Sequence, residues 1–246
     1  MRGAIAIARK ELRSYFLAPA AYVIITCFLL LNGFLFAVIL RALSTGGGSS
    51  ASPMVVFFGG TVFFWIFLIA MVPVITMRLG AEEAKSGTLE TLLTAPVTDL
   101  EVVAGKYLGA LALYGAAWLP TVLYAVVLRA YSPVDLGPVA SGYLGAALVG
   151  MAFLAVGLFT SFASRNQVVA AILAFLILLG FLLVSVLSFL ASTPLWKGIF
   201  GYLDLYSQMQ NYAKGIVDTR SVVFLTSTAA FFLALTYQAL QARRLR

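Results

Sequence analysis

Residues 78–106 read RLGAEEAKSGTLETLLTAPVTDLEVVAGK, and this polar stretch decides how the chain is organised. It holds five of the nine acidic residues, namely Glu82, Glu83, Glu90, Asp99 and Glu101. The sequence on both sides of it is almost entirely apolar. Charged side chains are rarely buried without partners, so a chain that gathers its carboxylates in one segment exposes that segment to water or to a water-facing partner. We therefore expect the remainder of the chain to hold this segment in place.

The composition indicates a membrane protein. The 246 residues are 62% hydrophobic and 10% charged, whereas soluble domains are about 25% charged. Such a chain has too little polar surface to coat a globule in water. The net charge is +7, but the basic residues lie at the ends of apolar runs and are not clustered with stacking aromatics. A nucleic-acid partner is therefore not predicted.

Residue types that carry chemistry are scarce. The chain has one cysteine, Cys27, and no histidine, which excludes a disulfide framework and removes the commonest general base and metal ligand. No phosphate-binding loop occurs, because Tyr107 stands where the hydroxyl residue should follow Gly105 and Lys106. We predict no catalytic residue, no metal site and no bound cofactor. If the chain does work, another subunit supplies the energy.

Six apolar runs have about the length of ~20 residues that spans a bilayer as a helix. They cover approximately residues 19–40, 54–77, 107–128, 139–161, 167–190 and 221–242. The fold class is therefore all-α, a polytopic membrane protein whose residues 1–246 form a single transmembrane domain. Residues 1–16 combine a basic and an apolar face, which indicates a helix lying in the membrane interface. A cleaved signal peptide is the competing interpretation, and the apolar run that follows is too long for one.

The distribution of basic residues predicts the orientation. With the N-terminus inside, eleven lysines and arginines fall in inside segments and five in outside segments. Both termini are then cytoplasmic, and the 78–106 loop is cytoplasmic as well. The predicted spans contain no Asp, Glu, Lys or Arg. This argues against an ion-coupled carrier, which needs ionisable groups at depth. Pro73 and Pro120 are expected to kink the second and third spans.

The last outside segment, residues 191–220, carries an apolar stripe with steps of three and four. Its members are Ile199, Tyr202, Leu203, Tyr206, Met209, Ala213 and Ile216. The pattern predicts an amphipathic segment with aromatic residues. It could lie on the bilayer surface or dip slightly into it, or it could be a loop helix that packs on the outer ends of the spans, and both alternatives stay open.

Within the cytoplasmic loop, Gly87 is expected to end the helix of the second span. A short amphipathic helix should follow, with an apolar face of Leu89, Leu92 and Leu93. Thr98 and Glu101 fit a capping box, so the next helix should start at residue 98 or 99. The short helix would be a docking element. The alternative is a turn resting on lipid headgroups, for which five carboxylates suit an anionic leaflet poorly.

At these residues the chain resembles a known family. Residues 82–106, EEAKSGTLETLLTAPVTDLEVVAGK, resemble the signature after the second span of ABC type-2 transporter permeases, and are similar to the subfamily named for the gliding-motility-associated permease. Residues 9–19, RKELRSYFLAP, are similar to the amino-terminal helix of that subfamily. Residues 212–220, YAKGIVDTR, are similar to its closing motif.

The resemblance implies a permease subunit in a prokaryotic plasma (inner) membrane. It would form a homodimer or heterodimer with a second permease and bind cytoplasmic ABC ATPases, which would hold the ATP and magnesium. The loop after the second span would contain the coupling helix that contacts the ATPase. Carried over by position, this role falls to Glu82, Glu83, Ser86, Gly87, Thr88, Glu90, Leu92 and Leu93, with a second contact from Lys10 and Glu11.

Two functions follow from these expectations. The first is the permease of an ATP-driven exporter, surrounded by membrane lipid and coupled to a separate ATPase. The second is a non-transporting membrane anchor that recruits an ATPase and an extracytoplasmic auxiliary subunit. The sequence does not name a substrate.

Overall fold

The computed structural model describes residues 2–45, 52–87, 97–131, 134–190 and 193–244, and within these ranges the chain forms helices and turns but no strand. The helices in chain order are α1 (Arg2–Leu17), α2 (Pro19–Thr45), α3 (Pro53–Val55), α4 (Val62–Ser86), α5 (Asp99–Trp118), α6 (Val122–Tyr131), α7 (Leu136–Ala163), α8 (Gln167–Leu190), α9 (Pro194–Leu203), α10 (Leu205–Ala213) and α11 (Thr219–Arg244). The predicted all-α fold class is confirmed.

Six stretches in the described ranges are long and apolar enough to cross a membrane. They are α2, α4, α5 continued by α6, α7, α8 and α11, with mean hydropathy between 1.5 and 3.0. A helix of about 20 residues spans the ~30 Å of hydrocarbon in a bilayer. The chain is therefore a multi-pass membrane protein, as its sequence predicts.

Proline affects the second and third spans differently. α5 ends at Trp118, a 3-10 turn covers Leu119–Thr121, and the helix resumes as α6. Pro120 lies in this turn, and proline removes a backbone donor and clashes with the preceding helical turn. By contrast, α4 continues through Pro73 as one helix.

The second span begins later than its apolar run suggests. α3 leads into a π-helical turn, Val56–Gly60, and Thr61 is extended with φ −124° and ψ 137° before α4 starts at Val62. Phe57 and Phe58 in the turn are fully buried. A Cβ at Gly59 would lie 2.8 Å from the Cβ of Ala213, so glycine permits the turn to pack directly against α10.

α7 lies at the centre of the bundle. The most apolar 18-residue stretch of α7 is 78% buried, whereas the corresponding stretches of α8 and α11 are each 17% buried. Close packing on α7 depends on glycine, since small residues let transmembrane helices approach each other closely. A side chain on these glycines would collide with residues of neighbouring elements; the pairs are Gly142 with Phe58, Gly145 with Tyr212, Gly150 with Tyr114 and Gly157 with Thr76. α7 therefore fixes the positions of α4, α5 and α10 around it.

The segment before the last span contains two helices, α9 and α10. Asp204 separates them, and its carboxylate accepts hydrogen bonds from the backbone N–H groups of Tyr206 and Ser207 as the N-cap of α10. α10 packs on α7 and on the Val56–Gly60 turn and buries Leu205 and Met209, among others. The described residues of α9 include none that is buried, and Trp196 is 53% exposed.

Candidate coupling site

A cluster of four charged residues joins α1, α4 and α5 at one end of the bundle. The ammonium of Lys106 on α5 lies 3.0 Å from Glu11 Oε1 and 2.8 Å from Glu83 Oε2. Lys10 Nζ lies 3.1 Å from Glu83 Oε1 and 3.7 Å from Glu11 Oε1. The exposed fractions are 0% for the Lys106 side chain, 11% for Glu11, 14% for Glu83 and 58% for Lys10. Two cations and two carboxylates thus form a neutral cluster, which we call the elbow cluster.

The charges of the elbow cluster depend on one another. A buried charge is costly unless it is paired, and Lys106 has no exposed surface. Burial disfavours the charged form of Lys10, but the charge of Glu83 and the hydrogen bond to it outweigh burial and raise the pKa of Lys10. The three helices are therefore joined by ion pairs as well as by apolar packing.

Glycines on α5 allow α1 to approach closely enough for these ion pairs. A Cβ at Gly105 would lie 2.7 Å from the carbonyl oxygen of Ala4 and 2.7 Å from Ile7 Cβ. A Cβ at Gly109 would lie 2.8 Å from Glu11 Cβ. A real Cβ atom essentially never lies this close to another heavy atom, so the crossing of α1 and α5 requires glycine at both positions.

Two hydroxyl groups attach α4 to its neighbours just before the elbow cluster. Tyr15 of α1 donates to the carbonyl oxygen of Ile75 at 2.6 Å, and burial raises the pKa of this phenol, so it stays a donor. Ser161 of α7 donates to the Met77 carbonyl at 3.0 Å and accepts from the Ala81 N–H at 3.2 Å. Residues 75–81 of α4 are therefore held by α1 on one side and by α7 on the other.

The last turn of α4 leads towards the loop. Arg78 and Glu82 form an i,i+4 ion pair at 2.7 Å, with the two side chains 37% and 42% exposed. Ser86 and Gly87 are exposed, and Gly87 caps the helix with φ 75°. A left-handed residue at this position ends a helix, and glycine adopts that conformation without steric cost. Gly87 therefore ends the helix of the second span as predicted.

The helix on the other side of the loop starts with the predicted capping box. The Thr98 hydroxyl accepts from the Glu101 N–H at 3.3 Å, and the Glu101 carboxylate accepts from the Thr98 N–H at 3.4 Å. The same carboxylate lies beside Gly3, where a Cβ would be 2.7 Å from its Oε2 atom. The start of α5 is thereby fixed next to the start of α1.

A polar cavity of about 190 Å³ lies between α1 and α4 and reaches Lys106 of α5. Its lining combines the elbow cluster with Ser14, Tyr15 and the Arg78–Glu82 pair. Cations and carboxylates alternate around it, so the cavity has no strong preference for an anion or a cation. We assign it no ligand.

The structure brings together some of the predicted coupling residues. Lys10, Glu11 and Glu83 meet in the elbow cluster, whereas Glu82 pairs with Arg78 and stays partly exposed. Thr88, Glu90, Leu92 and Leu93 lie outside the described residues, so the predicted coupling helix stays a prediction. The sequence reasoning missed the central role of Lys106. The available signal was its position two turns after the cap at Thr98, as the one basic residue of α5.

The six spans and the charged elbow define a class: a multi-pass helical membrane protein with one polar, ion-paired end. A family model described as ABC-2 family transporter protein matches residues 49–238, about three quarters of the chain. The chain belongs to this family, and is a membrane component of an ABC-2 transporter. α1 and α2 precede the matched range. No curated protein matches the chain.

Proposed function

We propose that this chain is the permease subunit of an ATP-driven exporter, works as a dimer of permeases, and is moved by a separate cytoplasmic ATPase that binds the ATP and magnesium. Membership of the ABC-2 family implies a partner ATPase and a dimeric arrangement. The observation that carries the coupling proposal is the elbow cluster, because it joins three helices on both sides of the 78–106 loop.

The proposed mechanism starts at the loop between α4 and α5. A push from an ATPase on this loop would act on the end of α4 at Gly87 and on the start of α5 at Thr98. Because Lys106 pairs with Glu83 of α4 and with Glu11 of α1, the three helices would move together rather than separately. α4 and α5 would tilt and change a path between inward-open and outward-open states. Only differential contacts with the two states can shift such an equilibrium.

The burial of the predicted contact residues divides their proposed roles. Lys10, Glu82, Ser86 and Gly87 have exposed or partly exposed surface, and we propose that they contact the ATPase. The side chains of Glu11 and Glu83 are 11% and 14% exposed, and we propose that they transmit force inside the chain. We also propose that the chain lies in a prokaryotic inner membrane with both termini and the loop on the cytoplasmic side, as the distribution of basic residues predicts.

The test is charge reversal on the exposed surface. Glu82→Arg should preserve the thermal stability of the purified chain, since an i,i+4 pair contributes about 0.3–0.5 kcal/mol, but should reduce stimulation of the co-purifying ATPase in proteoliposomes. Arg41→Glu is the matched control, because Arg41 is exposed on the opposite end of the bundle. Gly87→Pro should also uncouple hydrolysis without preventing membrane insertion. Normal ATPase binding and stimulation in both Glu82→Arg and Gly87→Pro would rule out this coupling surface.

One observation supports the second function, a membrane anchor for an extracytoplasmic partner of the gliding-motility type. α9 exposes Leu195, Trp196 and Ile199, by 67%, 53% and 45%. An exposed apolar and aromatic surface suits either the bilayer interface or another protein. Hydrolysis by the reconstituted complex that responds to a transported compound supports the exporter. ATPase binding without any such response supports the anchor.

A further inference from the structure

The turn between α7 and α8 contains Arg165, and Arg243 of α11 reaches the same turn. The Arg243 guanidinium on α11 donates to the carbonyl oxygen of Ser164 at 2.8 Å, which brings it to the turn where Arg165 is the next residue. The two positive charges repel each other, and Arg243 is in addition partly withdrawn from water. This arrangement costs free energy, because a desolvated cation is held beside a like charge.

No carboxylate offsets this repulsion in the part of the chain that the structure describes. Neither arginine forms an ion pair there. The carboxylates of Glu11, Glu82 and Glu83 already have lysine or arginine partners of their own. Two adjacent guanidinium groups without an acidic partner favour an anion from outside the chain.

Near this pair, some hydrogen-bond donors have no partner among the described residues. A guanidinium has five N–H donors, and Arg243 makes one hydrogen bond within the described part of the chain. The Ser164 hydroxyl is buried and has no hydrogen-bond partner among the described residues. A group with several acceptor oxygens, such as a phosphate, could use donors of this kind together.

We propose that Arg165 and Arg243 bind the phosphate of an anionic phospholipid headgroup. The position of the pair selects a lipid as the source of the phosphate. Arg165 lies in the short turn between two candidate spans, and Arg243 is the last residue of another. Both therefore lie where an apolar span meets water, which is the depth of lipid headgroups. Basic clusters between transmembrane helices at this depth recognise anionic lipids.

The experiment measures lipid binding to the full chain by native mass spectrometry after delipidation in mild detergent. Phosphatidylglycerol is compared with phosphatidylcholine of the same acyl chains. The double variant Arg165→Gln/Arg243→Gln should bind phosphatidylglycerol roughly 30-fold more weakly, since each basic residue contributes about a fivefold factor. The control variant Arg41→Gln/Arg129→Gln, which changes two exposed arginines at the other end, should keep this binding site.

Further measurements distinguish a lipid headgroup from free phosphate and from an acidic protein surface. Arg165→Lys/Arg243→Lys keeps the charge and should retain most of the binding, which separates a headgroup site from a purely structural role. Inorganic phosphate in excess should not displace the lipid. The proposal is overturned if the glutamine variant binds phosphatidylglycerol like the wild type, if the two lipids bind equally, or if inorganic phosphate displaces the lipid. It is also overturned if the glutamine variant loses the ATPase while lipid binding is unchanged, because the pair would then bind an acidic protein surface.

Discussion

Replacing Lys106 with methionine tests whether the elbow cluster holds α1, α4 and α5 together. Methionine keeps most of the volume of the lysine stem, so the change removes a charge without opening a large cavity. Lys106 has no exposed surface, and its ammonium lies within 3.0 Å of Glu11 and Glu83. The variant leaves two nearly buried carboxylates with Lys10 as their remaining cation in the cluster.

The magnitude follows from distance and burial. At an effective dielectric constant of about 20, opposite charges 3 Å apart attract by about 5.5 kcal/mol. Taking an ammonium out of water costs several kcal/mol, which offsets part of the attraction to the two carboxylates. Removing one partner from a buried ion pair destabilises proteins by about 3–5 kcal/mol. We expect Lys106→Met to lower the free energy of unfolding by this amount.

The assay is SDS-induced unfolding in mixed micelles, followed by tryptophan fluorescence. Lys85→Met is the control, because Lys85 is an exposed lysine on the last turn of α4; it should change stability by less than about 1 kcal/mol. Adding Glu83→Gln to Lys106→Met should cost less than the sum of the two single changes, by about 1 kcal/mol or more. If Lys106→Met unfolds like Lys85→Met, or if the two changes are additive, the elbow cluster does not join these helices.

Three further changes test other features of the structure. Gly105→Ala places a Cβ 2.7 Å from the Ala4 carbonyl oxygen and should separate α1 from α5, lowering the yield of disulfide crosslinks between engineered cysteines on the two helices. Gly115→Ala, with nothing within 4 Å of its Cβ, should leave the crosslinks unchanged. Gly87→Ala should cost about 1–2 kcal/mol in the same unfolding assay, because φ is 75° there and an added methyl group meets no neighbour. Asp204→Asn should cost about 1 kcal/mol near neutral pH, because hydrogen bonds to a charged carboxylate are stronger than those to a neutral amide. Burial would raise the pKa of Asp204, but hydrogen bonds from Ser185 and Ser207 hold it below its ordinary value, so the difference from wild type should close as the pH falls through the folded pKa.

Local chemistry predicted the boundaries of the loop. The capping box of Thr98 and Glu101 requires only the spacing of two residues, and the structure contains it. Gly87 ends α4 for a reason that is also local, since a left-handed conformation favours glycine. The spans themselves follow from length and hydropathy. Features of this kind are determined within one or two helical turns, so a single sequence shows them.

Features that depend on distant partners were not predictable. Lys106 lies 95 residues from Glu11, and their pairing depends on the crossing of α1 over the glycines of α5. The apolar periodicity of residues 199–216 continues across Asp204 because the chain is helical on both sides, so periodicity alone cannot show the break. Two local signals in the sequence could have shown such breaks. An aspartate can cap a helix, which fits the break at Asp204, and the pair Gly59 and Gly60 indicates an interruption before the start of α4.

The pairing of Glu11 with Lys106 has a consequence for how the chain is made. α1 leaves the ribosome before α5 does, because Lys106, the buried cation that pairs with Glu11, is translated 95 residues later. At about 5–20 residues per second, roughly 5–20 s pass before that partner exists. During this interval the carboxylate of Glu11 on α1 stays hydrated, while two hydrophobic segments, α2 and α4, enter the bilayer. When α1 docks on α5, it closes a long loop of the chain. A chain that stops before Lys106 would leave Glu11 without this partner.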